Sequence, residues 1–87
     1  MKTTSKLVAV DTNVLVALVD SQDKWHARAV ALREALKTAR VDLLYFDPVL
    51  NETVSVLARR AEEQARARQF PGLLETLIQQ TPTEVIV

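Results

Sequence analysis

Short apolar runs alternate along this chain with longer segments that have helical periodicity. Residues 7–10 are wholly apolar and rich in β-branched side chains, a pattern typical of a strand covered on both faces. Residues 43–46 and 84–87 indicate two further strands. The alternation predicts an α/β fold in which three parallel strands are joined by right-handed helical crossovers.

About four helices are predicted between these strands. Residues 14–19 are apolar all round, which predicts a short buried helix. A second helix is expected to begin at Ser21 or Asp23, and its core face is formed by residues at helical spacing: Trp25, Ala29, Leu32 and Leu36.

The second half of the chain has a clear helix start signal at Asp47 and Pro48. Apolar residues continue at helical spacing from there, so the third helix is predicted to run to about Arg68. Residues 70–72, Phe-Pro-Gly, predict a break, and residues 73–78 predict a short fourth helix.

The composition excludes several kinds of site. The chain contains no Cys, so a disulfide, a thiolate zinc site and a cysteine nucleophile are impossible. One Gly is too few for the phosphate-binding loops that need two or three. A single histidine, His26, excludes paired-histidine metal sites, so any metal should be a hard cation held by carboxylates.

Size and charge indicate one small domain with no general attraction for polyanions. The chain has 87 residues and a formal net charge of zero. Asp11 interrupts the apolar N-terminal stretch, so we expect a cytoplasmic protein with no membrane segment. The densest basic patch comprises Arg59, Arg60, Arg66 and Arg68.

Two acids are placed where α/β proteins form their sites, outside the carboxyl ends of the strands. Asp11 directly follows the first predicted strand, and Glu52 lies about one turn into the helix after the second. Thr12 and Asn13 can add neutral oxygen ligands or hold Asp11 in place. If the two strands are neighbours, this all-oxygen set suits Mg²⁺ or Mn²⁺.

The segment VAVDTNVLVALVD, with Asp11 closing an apolar strand, resembles the start of a PIN domain, particularly that of VapC-like toxins. The later LNETVSVLARR, which carries Glu52, is similar to the second acidic motif of that family. The resemblance implies a three-layer α/β/α fold and a metal-dependent ribonuclease that hydrolyses RNA phosphodiesters. It also implies that Asp11 and Glu52 bind the metal, that Thr12 and Asn13 support Asp11, and that an antitoxin is a partner.

The resemblance covers only the first half of the family, because the later acids of a PIN domain have no counterpart here. We therefore expect residues 1–87 to be a single PIN-like domain that is incomplete at its C-terminus. In the PIN fold the first strand lies within the sheet, so it would here become an exposed apolar edge. Such edges recruit partners, which predicts a homo-oligomer or another association through that edge.

Each of these residues also has a purely structural interpretation. Asp11 is a good helix N-cap, and Glu52 in an early helical turn complements the helix dipole. Asp20, Asp23 and Asp47 are expected to be caps. His26 is expected to pack at the core edge, and Arg59 and Arg60 are weak candidates for RNA contacts because arginines on an outer helix face usually only meet solvent.

Two other functional classes remain open. A catalytically impaired, truncated PIN domain would act as a protein-interaction module, and its stability would then depend on the partner and not on metal. A receiver-like signalling domain also clusters acids at strand ends. However, the chain has no acidic pair before its first helix and no lysine at a late strand end.

Overall fold

The computed structural model describes residues 6–81, which form a mixed, mostly helical α/β arrangement. The elements, in chain order, are β1 (Leu7–Ala9), α1 (Thr12–Val19), α2 (His26–Thr38), β2 (Asp42–Leu44), α3 (Asp47–Glu63), a 3-10 turn (Ala67–Gln69) and α4 (Phe70–Gln80). The described residues thus contain the predicted four helices and two of the predicted strands. The third predicted strand, residues 84–87, lies outside the described residues.

The two strands pair in parallel, as the sequence predicts. Leu7 lies opposite Asp42 and Ala9 opposite Leu44. The ladder continues past β1, where the Val10 amide donates to the Leu44 carbonyl over 2.9 Å. Both strands therefore direct their carboxyl ends to the same edge of the sheet.

The prediction that β1 is covered on both faces is wrong for the part of the chain described. Leu7 is 61% exposed and Val8 39% exposed. For Val8 the physical reason is the position of α2, which packs on α1 and leaves an open cleft of about 120 Å³ between β1 and α2, lined by residues that include Val8 and Leu36.

Helix α1 is the buried centre of the molecule, as its apolar sequence predicts. Its buried residues are Leu15–Val19, and it packs against α2, α3 and α4. Leu57 of α3 and Leu77 of α4 join it in the main core, and Tyr45 closes that core after β2. Because α2, α3 and α4 all pack against α1, this helix determines where the other three lie.

Helix α2 buries fewer of its apolar side chains against the core than predicted. Ala29 is its one buried residue, packed beside Ala17 and Leu18 of α1. Trp25 is 50% exposed, so the prediction that it belongs to the core is wrong. The small Ala29 side chain provides the close contact with α1, and the larger Trp25 ring remains at the surface. His26 secures the start of α2, because its Nδ1 donates to the Ala17 carbonyl over 2.6 Å.

The end of α3 and the start of α4 differ from the prediction. Helix α3 ends at Glu63, before Arg68, and residues 70–72 form the first turn of α4 instead of a break. Pro71 is compatible with that first turn because its missing amide hydrogen has no helical partner there. Helix α3 ends in a hydrogen-bonded Schellman turn, with Ala65 at φ 53° in the left-handed region.

Candidate functional site

Asp11 is both an exposed carboxylate and the N-cap of α1. Its backbone is extended, and its Oδ1 accepts a hydrogen bond from the Val14 amide over 3.1 Å. The expected capping role is therefore present in the structure. Capping uses one carboxylate oxygen and leaves the second for another partner.

Glu52 is exposed on α3, the helix that follows β2. Asn13 of α1 and Val56 of α3 line one groove, and Asp20, which follows α1, contacts Arg60 of α3. Glu52 lies one helical turn before Val56. Neither Glu52 nor Asp11 lines that groove.

The groove between α1 and α3 has a volume of about 550 Å³. We call it the α1/α3 groove, and its walls include Asn13 and Val16 of α1, residues 22–25 of the connecting loop, and Val56, Arg60 and Gln64 of α3. Asn13 is exposed and Thr12 is half-buried. Asn13, two residues after Asp11, therefore forms part of the groove wall.

Asp20 is the most deeply buried charged residue described, with no exposed surface. Its Oδ1 accepts from Arg66 Nη2 at 2.7 Å and from the Gln22 amide at 3.0 Å. Its Oδ2 accepts from Arg66 Nη1 at 3.1 Å and Arg60 Nη1 at 3.2 Å. The expected capping role is therefore only a small part of what Asp20 does.

Both arginines also donate hydrogen bonds to residues other than Asp20. Arg66 Nε donates to Gln69 and Arg66 Nη1 to Gln64. Arg60 Nη1 contacts Asp23 Oδ2 at 2.8 Å. A buried ion pair is stable only when such additional hydrogen bonds compensate for the lost hydration, and here they do.

These charges shift each other's protonation equilibria. Hydrogen bonds from Arg66 lower the pKa of the Asp20 carboxyl, although burial acts in the opposite direction. The same hydrogen bonds raise the pKa of Arg66. Both groups are therefore held in their charged forms.

The four-arginine patch seen in the sequence is not a free basic surface. Arg66 is buried against Asp20, and Arg60 bridges Asp20 and Asp23. Arg59 is exposed and faces Glu63 at 3.7 Å, one turn further along α3. The structure therefore engages three of the four arginines with carboxylates, including both weak candidates for RNA contacts.

The network around Asp20 was missed from the sequence. Arg66 is 46 residues and Arg60 is 40 residues from Asp20 along the chain, and no local spacing links them to it. The one available signal was Asp20 itself, a charged residue that directly follows a wholly apolar helical segment. A charge that becomes buried beside such a segment needs a partner.

The described residues contain no group of three or more His, Asp or Glu side chains arranged to hold a metal. Asp11 and Glu52 are each exposed, and no hydrogen bond or shared groove among the described residues joins them. Mg²⁺ is commonly held by one or two carboxylates together with water. The available oxygen donors are compatible with a hard cation.

No family model, curated protein or solved structure matches this chain. In the part of the chain that the structure describes, none of the helices combines the length and apolar character needed to cross a membrane.

Proposed function

We propose that this protein is a PIN-like, metal-dependent endoribonuclease that hydrolyses RNA phosphodiesters in the cytoplasm, as the toxin of a toxin–antitoxin module. The observation that carries the proposal is the placement of Asp11 and Glu52. Both are exposed, and both follow strands that pair in parallel. This is the edge at which α/β proteins form their sites.

Asp11 and Glu52 would hold Mg²⁺ or Mn²⁺, with Thr12 and Asn13 as neutral oxygen donors beside them. The bound cation supplies polarisation of a phosphoryl oxygen and a lower pKa for water in its coordination shell. The Val14 amide orients the Asp11 carboxylate through Oδ1. This contact favours binding because it reduces the motion that the carboxylate must lose.

Cleavage of a fluorescently labelled single-stranded RNA tests the proposal. We expect the wild type to cut with Mn²⁺ and to be inactive in EDTA. Asp11→Asn and Glu52→Gln should each lose at least about a hundredfold in rate, because each removes a carboxylate needed for the metal. Glu62→Gln, which removes another exposed acid of α3, is the matched control and should retain activity. Equal cleavage by Asp11→Asn and the wild type would contradict the proposal.

A second candidate is a protein-interaction module with an impaired site, whose partner is an antitoxin or a second copy of the chain. The exposed apolar residues of β1, Leu7 and Val8, favour it. Among the described residues β1 pairs with β2 along one edge only. This candidate predicts unfolding that depends on protein concentration or on the partner, with no effect of Mn²⁺.

A further inference from the structure

Trp25 is exposed beside the candidate site. It lines the α1/α3 groove and also a second, largely apolar groove of about 240 Å³ between α1 and α2. Asn13 lines both grooves, so the indole lies on the surface that leads to the N-terminus of α1. A large aromatic ring left 50% exposed in this position is available to a ligand.

Two cations accompany the ring. Lys24 Nζ and the Arg28 guanidinium each lie 5.3 Å from the centre of the Trp25 ring system. Such contacts are weak at exposed positions, and stacking of a nucleobase on the ring is the stronger interaction. A base can therefore take the place of a cation at the ring, and the displaced cation remains within reach of a phosphate.

The charges on these walls favour a polyanion. Asp23 is the acidic residue of the α1/α3 groove, and Arg60 neutralises it at 2.8 Å. Lys24 lines the α1/α3 groove and Arg28 lines the groove between α1 and α2, and each adds a positive charge. An apolar protein segment would bury the indole but would leave these two cations without anionic partners.

We propose that Trp25 stacks on a nucleobase of single-stranded RNA, while Lys24 and Arg28 contact the flanking phosphates. The strand then continues past Asn13 towards Asp11. This inference rests on the proposed function, since it assigns a substrate contact to the same site. The stacking contact does not require a particular RNA sequence, because every base offers a face for stacking.

The chain contains a single Trp, so its fluorescence reports directly on this contact. Oligoadenylate RNA is titrated into the protein in EDTA, and inorganic polyphosphate serves as an anion without bases. We expect RNA to quench the Trp25 emission and polyphosphate to leave it nearly unchanged. Quenching by both to the same extent would show binding of charge alone and would overturn the proposal.

Affinity for labelled oligoadenylate is then measured by anisotropy. Trp25→Leu should bind roughly tenfold more weakly, and Trp25→Phe should keep most of the affinity, because stacking on an aromatic ring contributes about that factor. Ile78→Ala, which removes an exposed apolar side chain from α4, is the control and should bind normally. Thermal unfolding checks that each variant is folded. If Trp25→Leu does not fold, the proposal is tested by the affinity of Trp25→Phe and by the difference in quenching between RNA and polyphosphate.

The outcomes separate this inference from the proposed nuclease. Metal-dependent cleavage without Trp25 quenching would overturn the stacking contact and leave the nuclease standing, with the ring then free for a protein partner. Quenching without cleavage would support the RNA contact and contradict the nuclease. Unchanged affinity in Trp25→Leu would overturn the inference even if quenching occurs.

Discussion

Arg66 Nη2 donates to Asp20 Oδ1 over 2.7 Å, with both side chains buried. The pair joins the end of α1 to the connection between α3 and α4. Arg60 extends it to Asp23, whose Oδ1 accepts from the Trp25 amide at 2.8 Å. The same network that closes the core therefore also fixes the backbone that carries the exposed indole.

We expect Asp20→Asn to destabilise the protein by roughly 3 to 5 kcal/mol, because it leaves the buried Arg66 charge without its carboxylate. This is a large part of the stability of a small domain. The midpoint of urea unfolding measures it. Arg59→Ala removes an exposed ion pair and should change the free energy of unfolding by less than about 1 kcal/mol. Similar midpoints for the two variants would show that the buried pair contributes no more than a surface pair.

The protein should lose stability in acid, partly through Asp20. Its pKa is lower in the folded state, so the folded state favours the carboxylate, and the resulting stabilisation is fully present at neutral pH. It is lost as the pH falls below the ordinary carboxyl pKa of 3.8 and through the lower folded value. Unfolding measured between neutral pH and about pH 2 should therefore show a smaller acid-induced loss in Asp20→Asn than in the wild type. An equal loss in both would contradict this assignment.

Local patterns were sufficient to predict the backbone elements near the candidate site. The apolar segment 14–19 predicted a buried helix, and the β-branched residues 7–10 predicted a strand that pairs in parallel. Asp11 between them predicted a helix cap. Each of these depends on neighbours within a few residues, which is the information that a sequence pattern carries.

Tertiary contacts decided the features that the sequence did not predict. Helical spacing placed Trp25 on the same face as Ala29, but only Ala29 is buried, because the depth of a contact depends on how two helices approach. Arg66 is bound by Asp20 from a distant part of the chain. The sequence also did not predict that α3 ends in a left-handed residue, since Ala65 is not a typical choice there.

We expect Ala65→Gly to stabilise the protein by about 1 kcal/mol, because glycine adopts a positive φ without the steric cost of a Cβ atom. Ala58→Gly makes the same chemical change in an exposed position within α3 and should destabilise by about 1 kcal/mol. Thermal unfolding of the two variants gives the comparison. Destabilisation by both would contradict a left-handed conformation at residue 65.

The two roles of Asp11 can be separated by substitution. Asp11→Ala removes the cap of α1 and should cost about 1 kcal/mol, whereas Asp11→Asn retains a side-chain oxygen for the Val14 amide and should unfold as the wild type does without metal. Mn²⁺ should raise the unfolding temperature of the wild type by mass action, and Asp11→Asn should lose that rise because an amide is a much weaker ligand than a carboxylate. Glu62→Gln is expected to respond to Mn²⁺ as the wild type does. If Asp11→Asn keeps the full response, the cation binds elsewhere, and Asp11 is a cap alone.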